Sequence, residues 1–271
     1  MVIHQKEAYG NGLNMVVQDA GKAGGMLLDF GILKLSEGEV WKDESNKERA
    51  LMLVGGKVRF EWGRESREAS RSSCFDENPE ALQLPSGLSV KITAGEGGAE
   101  LCYEACINDK DFPAVYYGKE DIRNDIFGAG VLNEASIRTV RTVFDGENAK
   151  FSNMVMGEVI NHPGKWSSYP PHDHPHPEIY HYRMFPEQGF GVSLLDYEAH
   201  TVRNRSTCLI SPDKTHSQVA GAGYAMYYIW MIPHLPEDRW LPSTRYFREE
   251  HKWMLEKNVK IWPERAYEEA K

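Results

Sequence analysis

The stretch Trp166–Gly191 reads WSSYPPHDHPHPEIYHYRMFPEQGFG and holds a dense group of histidines. If a strand begins after its Pro-Pro pair, His172, His174 and Glu178 lie on one face, because side chains alternate along a strand. His216 follows in the later segment SPDKTH, from which a neighbouring strand can bring it alongside. We therefore predict that His172, His174, Glu178 and His216 converge on one cation inside a small β-barrel.

Three imidazoles and one carboxylate suit divalent transition metals and leave coordination positions open for a substrate. Zn or Mn is favoured, and Fe, Ni or Co fits the same donors. His176 also has ligand parity, but it lies between Pro175 and Pro177 and ranks below the other three histidines. A histidine-rich surface loop is the competing interpretation, and a glutamate at the matching offset weakens it.

Short apolar or alternating runs separated by Gly, Pro, Asn and Asp continue outward from this stretch in both directions. Such spacing is typical of an all-β sandwich or barrel. The runs are Met26–Leu35, Ala50–Trp62, Leu88–Thr93, Ala99–Ala105, Met154–Ile160, Gly191–Tyr197, Thr207–Ile210 and Tyr224–Ile232. The Gly55-Gly56 pair predicts a hairpin turn. Helical spacing is confined to Ser243–Leu255 and Pro263–Lys271, which predicts a short helical tail.

Three regions follow from this pattern. Residues 1–125 are predicted to form a first barrel without a metal site, because this half contains His4 and no other histidine. Residues 126–245 are predicted to form a second barrel that carries the metal, and residues 246–271 the helical tail.

Composition narrows the class of protein. The 271 residues are 41% hydrophobic and 26% charged, which favours a packed core over disorder. The net charge of −9 argues against nucleic acid or an anionic membrane as the main partner. There is no long apolar run and no signal-peptide pattern, so we expect a cytoplasmic protein. The four scattered cysteines predict neither a disulfide framework nor a zinc ribbon.

Three phrases together carry a family resemblance: GKWSSYPPHDHP, EIYHYRMFPEQGFG and GYAMYYIWM. They resemble the 5-deoxy-glucuronate isomerase family of myo-inositol breakdown, in the cupin superfamily and related to 4-deoxy-5-threo-uronate isomerases. RSSCFD, ITAGEGGAEL and RTVRTVFD extend the resemblance over most of the chain. It implies two cupin-like barrels (a bicupin) and a metal-dependent aldose–ketose isomerisation of 5-deoxy-glucuronate to 2-deoxy-5-keto-gluconate.

Some positions depart from the family pattern. The ligand stretch reads His-Asp-His-Pro-His, Thr215 and Ser217 flank the last histidine, and His181 stands in a run of tyrosines. These departures leave the identity of the sugar acid undecided, and a related uronate is an alternative substrate.

Residues around the ligands are candidates for catalysis and substrate binding. Strand parity places Tyr180 and Tyr182 on the face of Glu178, and Glu187 is a further proton-transfer candidate. The substrate-binding candidates are Arg183, whose parity opposes that of Glu178, with Lys165, Tyr224 and Tyr228.

Two other functions use the same residues. A cupin dioxygenase would keep the ligand set, and a sugar-acid-binding protein would keep the pocket without catalysis. Each of these readings has a small molecule as partner, and exposed strands with an aromatic tail are compatible with a homo-oligomer.

Overall fold

A computed structural model describes residues 1–256 and 259–262. Within them the chain is nearly all β, as predicted. The strands are β1 (Val2–Ile3), β2 (Gly12–Val17), β3 (Asp29–Leu35), β4 (Val40–Asp43), β5 (Glu48–Trp62), β6 (Glu65–Arg71), β7 (Ala81–Leu84), β8 (Val90–Cys106), β9 (Val115–Tyr117), β10 (Arg123–Phe127), β11 (Arg138–Phe144), β12 (Met154–Asn161), β13 (Trp166–Asp173), β14 (Glu178–Phe185), β15 (Phe190–Leu195), β16 (Glu198–Arg203), β17 (Thr207–Ile210), β18 (His216–Ala220), β19 (Ala225–Pro233) and β20 (Tyr246–Phe247). Short 3₁₀ helices occupy Lys119–Asp121, Leu132–Glu134, Pro242–Thr244 and Glu249–Leu255. None of these helices is long and apolar enough to cross a membrane.

The first half of the chain is one eight-stranded sheet in the order β2-β3-β8-β5-β7-β9, with β4 on β8 and β6 on β5. Its inner face is filled by side chains such as Leu51, Phe60, Ile92 and Leu101. The sheet is held by the long pair β5–β8, which runs antiparallel from Glu48↔Cys106 to Trp62↔Val90. Two predicted runs, 88–93 and 99–105, are therefore parts of a single strand.

The predicted hairpin at Gly55-Gly56 is wrong. β5 passes straight through this pair, and the register with β8 shifts on either side of it. Gly56 has φ of +100°, and a Cβ there would collide with the carbonyl oxygen of Gly98 on β8. The glycines form a β-bulge, and glycine is needed at Gly56 because the backbone of β8 lies too close for a side chain.

The second half forms a barrel from two facing sheets. One has the order β1-β17-β14-β19-β12-β11-β10 and the other the order β16-β15-β18-β13-β20. Alternation along β14 sorts its side chains: Tyr180 and Tyr182 face the barrel interior with Trp230, whereas Ile179 faces the first half.

The two halves share a core. Phe30, Met52 and Cys102 from the first sheet pack with Ile179 and Met231 from the second half. A buried ion pair crosses the same boundary, with Arg71 Nη1 2.7 Å from Glu158 Oε1. The two halves are therefore joined by both apolar and charged contacts.

Strand pairing shows to which half the strands near the predicted boundaries belong. β10 spans the predicted boundary at 125 and pairs with β11, so it belongs to the second half. β1 pairs with β17, and β20 pairs with β13, so the second barrel also takes strands from both ends of the chain. The predicted tail contains the 3₁₀ helix Glu249–Leu255. Its predicted second helical stretch, 263–271, lies outside the described residues.

Candidate metal centre

Three strand ends bring the predicted ligands together. His172 lies at the end of β13 opposite His216, the first residue of β18. His174 follows β13, and Glu178 begins β14. The prediction that a single strand carries His172, His174 and Glu178 is therefore wrong, because the chain leaves β13 after Asp173 and pairs again only from Glu178. One donor atom from each of the three histidines lies within 4.8 Å of the others. Glu178 Oε2 is 3.3 Å from His174 Nε2 and 3.2 Å from His216 Nε2, and all four side chains are buried.

Hydrogen bonds to the backbone orient the three imidazoles. His172 Nδ1 lies 3.1 Å from the carbonyl oxygen of Pro170, His174 Nδ1 2.9 Å from that of His176, and His216 Nδ1 3.0 Å from that of Lys214. A carbonyl can only accept, so each Nδ1 carries the ring proton and a neutral ring presents its lone pair at Nε2.

The cluster fits a cation. Glu178 Oε2 and His216 Nε2 are buried and have no hydrogen-bond partner among the described residues. Lone pairs that face one another at this distance repel, and a divalent metal between them removes the repulsion. Burial lowers the pKa of His172 well below its usual value, so that ring is neutral.

A cavity of about 350 Å³ opens beside the cluster and is large enough for a small ligand. His172, His174 and Glu178 line it, with the aromatic rings of Tyr180 and Tyr228. Its other walls include Ser167, Ser168, Trp230, Trp240, Arg138, Arg245 and Phe247.

Two serines tie the cavity tyrosines together. Tyr180 Oη lies 3.0 Å from Ser168 Oγ, and Tyr228 Oη lies 2.8 Å from Ser167 Oγ. Ser168 has a left-handed φ of +49°, a conformation that is uncommon for a non-glycine residue and marks local strain. Burial raises the pKa of Tyr228 to about 12, so its hydroxyl keeps its proton.

Tyr182 shares the face of Tyr180 but lies outside the cavity. Its hydroxyl donates to Gln218 Oε1 at 2.7 Å, and its ring is fully buried in the barrel core. It is two residues further along β14, away from the end at which Glu178 lies. The structure therefore gives Tyr182 a packing role rather than access to a substrate.

Arg183 points away from the cavity, as its parity predicts. It forms an ion pair with Glu100 on β8 of the first half, and its Nη1 lies 2.9 Å from His181 Nε2. This arrangement leaves Arg183 between the barrels, where a ligand in the cavity does not meet it.

Glu187, Lys165 and Tyr224 lie in turns at the opposite end of the barrel. Glu187 follows β14 and is 2.9 Å from Arg205 Nη1, Lys165 precedes β13, and Tyr224 packs on Phe190 before β19. The predicted metal ligands lie where β13 ends and where β14 and β18 begin. Residues in turns at the other ends of these strands cannot reach them.

His176 also takes another position. It lies in the loop between β13 and β14, is buried, and its Nε2 lies 2.7 Å from the carbonyl oxygen of Asp238. This contact orients the loop that carries His174, because the carbonyl of His176 accepts from that ring.

Sequence reasoning missed two cavity residues, Arg138 and Arg245. Arg138 begins β11, and Arg245 directly precedes β20. Neither lies on β13, β14 or β18, which hold His172, Glu178 and His216, so the parity of those strands gives no signal for them.

Comparisons with known proteins agree on one family. The model of the KduI/IolB family matches residues 2–254. The 5-deoxy-glucuronate isomerase of Bacillus subtilis (strain 168) is 26% identical over 250 residues, covering 85% of this chain and 88% of that protein. The protein of the same name from Halalkalibacterium halodurans is 27% identical over 251 residues, covering 84% of this chain and 88% of that protein.

Solved structures agree in fold. An IolB-like protein from Salmonella typhimurium LT2 superposes with a TM-score of 0.82 at 23% identity, covering 94% of this chain and 99% of that one. An oxalate decarboxylase from Lactobacillus farciminis, solved as a formate complex, gives 0.62 at 10% identity, covering 83% and 82%. The predicted double cupin-like architecture is thus confirmed.

Proposed function

The chain belongs to the KduI/IolB family, and from that membership we propose that it is a metal-dependent aldose–ketose isomerase of a sugar acid. The proposed reaction converts 5-deoxy-glucuronate to 2-deoxy-5-keto-gluconate, in keeping with the name of the curated relatives. The observation that carries the proposal is the convergence of three imidazoles and a carboxylate beside one cavity, with His172, His174 and Glu178 on its wall.

His172, His174, Glu178 and His216 would hold the metal. Their nitrogen and oxygen donors favour Zn or Mn, and Fe, Ni or Co is compatible with the same set. When bound, a divalent metal supplies Lewis-acid polarisation of a carbonyl and its neighbouring hydroxyl. His176 and the backbone carbonyls that accept from each Nδ1 fix the ring orientations.

Aldose–ketose isomerisation moves one hydrogen between C1 and C2 and one proton between their oxygens. Tyr180 is the group we assign to that oxygen-bound proton, because its ring borders the cavity and lies 6.1 Å from the ring of His216. Ser168 is hydrogen-bonded to Tyr180 and also lies 3.4 Å from Tyr228 Oη, so a proton on one hydroxyl can pass along the group. Tyr228, the remaining predicted substrate-binding residue in the cavity, would hold a substrate hydroxyl.

Apolar side chains form part of the cavity wall. Trp230, Trp240 and Phe247 contribute apolar surface to the wall, and the ring of Phe247 lies 5.7 Å from that of His172. Electrostatic interactions are stronger in such surroundings than in water, which favours stabilisation of a charged enediolate.

Metal-dependent turnover tests the proposal. The purified protein is analysed by elemental mass spectrometry, stripped with a chelator, and assayed with 5-deoxy-glucuronate by NMR before and after addition of Zn²⁺ or Mn²⁺. Conversion that is lost on stripping and restored by metal supports the assignment. Metal binding without conversion would exclude this substrate, and oxygen consumption would indicate dioxygenase chemistry instead.

A further inference from the structure

Two guanidinium groups line the cavity of the metal centre without an acidic partner. Among residues 1–256 and 259–262, neither Arg138 nor Arg245 forms an ion pair with a carboxylate. Other arginines with little exposed side-chain surface do so, as Arg71 does with Glu158 and Arg183 with Glu100. Within the part of the chain that the structure describes, Arg138 and Arg245 lack such a carboxylate although they line a cavity, where their free N–H groups can meet a ligand.

The contacts that these arginines make are neutral. Arg138 Nη1 donates to the carbonyl oxygen of Ser136 at 2.8 Å, and its guanidinium lies 5.5 Å from the centre of the Phe127 ring. Arg245 Nε donates to the carbonyl oxygen of Pro242 at 2.9 Å. Each guanidinium has five N–H donors, so most of them are left for another acceptor.

The charge around them is uncompensated. Burial lowers the pKa of both arginines, and Arg245 adds to this effect at Arg138, so the two groups repel each other. Glu178 attracts Arg245 from a distance, but it is held among the histidines. Of the two aspartates on the cavity wall, Asp145 pairs with Arg123, and Asp125 is exposed.

We propose that Arg138 and Arg245 form an anion subsite that binds the carboxylate of the sugar acid while its other end lies at the metal centre. The identity of the anion rests on the proposed function. An open-chain uronate carries its carboxylate at the end opposite to C1 and C2. One cavity that holds it therefore needs a cationic group apart from the metal ligands, and two planar guanidiniums suit a carboxylate.

Arg245 comes from the segment that follows the second barrel. That segment is held against β13 by β20, where Phe247 pairs with His172. Arg248 strengthens the attachment: its Nη2 is 3.2 Å from Asp173 Oδ2, and its Nε donates to Thr215 Oγ1 at 2.5 Å. The subsite is thus assembled from the barrel and from the segment packed on it, next to two metal-binding histidines.

Calorimetric titration tests the subsite with two probes of nearly equal shape, D-glucuronate and its neutral amide D-glucuronamide. The titrations use Zn²⁺-loaded protein as wild type, Arg138→Gln and Arg245→Gln, with Arg67→Gln on the exposed surface of β6 as the matched control. We expect wild type to prefer the acid by about tenfold or more, as for charge-assisted hydrogen bonds. Each cavity variant should lose that preference and keep its affinity for the amide.

Metal content and thermal melting, measured on every variant, separate the subsite from a general loss of structure. Equal binding of acid and amide by wild type, or unchanged acid binding by both cavity variants, would overturn the subsite. If wild type fails to isomerise 5-deoxy-glucuronate but prefers the acid through these arginines, the proposed function fails and the subsite stands. If wild type isomerises 5-deoxy-glucuronate and both cavity variants keep its kcat/KM, the proposed function stands and the subsite fails.

Discussion

His172 lies directly opposite His216 across the β13–β18 pair, with their ring centroids 4.6 Å apart. The two residues are far apart in sequence, and the antiparallel register of the two strands brings them together. β14 begins with Glu178 at the same end of the barrel. The cluster is consequently a property of three strand ends, and the position of each predicted ligand depends on the register of its strand.

Replacing His216 by alanine should remove the metal. We expect about one equivalent of divalent metal per wild-type chain. In His216→Ala the affinity for the metal should fall by about a hundredfold or more, because loss of a residue that only hydrogen-bonds to a ligand already costs about 10–100-fold. Elemental mass spectrometry after dialysis measures the content. His200→Ala on β16 is the control and should retain the metal. Full metal content in His216→Ala would contradict the assignment of the ligand.

Tyr180→Phe should lower kcat by about 10²–10⁴-fold, the range for loss of a proton-transfer group, while metal content stays unchanged. Tyr182→Phe is the matched control, because its hydroxyl is bonded to Gln218 in the core and should affect stability rather than kcat. Steady-state kinetics, monitored by NMR, give kcat for both variants. A larger fall in kcat for Tyr182→Phe than for Tyr180→Phe would transfer the role to Tyr182.

Within one strand the period of two is a reliable guide, and along β14 it places Tyr180 on the face of Glu178. His172 and Glu178 have the parity of a single strand, but they lie on β13 and β14, and the loop between the two strands brings them together. Position along the strand decides the rest: Tyr182 has the right face but lies too far from the end that carries the ligands. Glu187, Lys165 and Tyr224 are adjacent to strands of the site, yet they occupy turns at the far end.

Other features could not be predicted, because they depend on pairing between strands that are far apart in sequence. Gly55-Gly56 has the composition of a hairpin turn, and only the close approach of β8 makes it a bulge. Arg245 lies in a segment that reaches the site through the pairing of β20 with β13, which no local pattern encodes. The fold class needs only local alternation, whereas these features need the register between distant strands.

Arg71→Met should destabilise the fold strongly. Arg71 donates to both oxygens of Glu158 at 2.7 and 2.8 Å, and neither side chain is exposed. Removing one partner leaves a buried carboxylate with Arg141 at 3.5 Å and the hydroxyl of Tyr227, at an expected cost of about 3–5 kcal/mol. Denaturant unfolding measures the free energy. Arg67→Met on the exposed face of β6 should change it by less than about 0.5 kcal/mol.

The double variant Arg71→Met/Glu158→Met sharpens this experiment, because it removes both charges together. We expect it to recover much of the lost stability, since an apolar pair of similar volume can replace a buried ion pair. A double variant as unstable as Arg71→Met alone would show that packing, rather than the unpaired charge, causes the loss.

Glu104→Gln should stabilise the protein increasingly as the pH rises. Glu104 is fully buried on β8, and neither carboxyl oxygen has a hydrogen-bond partner among the described residues. Burial, and then the charge of Glu48, raise its pKa well above the ordinary value of 4.5. Below pH 4.5 the carboxyl is protonated in both the folded and the unfolded chain. Above it the unfolded chain ionises and the folded one does not, so wild type loses up to about 1.4 kcal/mol per pH unit at this residue.

Glutamine has no such titration, so the difference in unfolding free energy between variant and wild type should grow between pH 5 and pH 8. Denaturant unfolding at several pH values measures it, with the exposed Glu198→Gln as control for the change of charge. A difference that is constant with pH would mean that Glu104 ionises as readily in the folded chain as in the unfolded one. That result would require a buried cation or water at its oxygens, because an isolated charge there would be too costly.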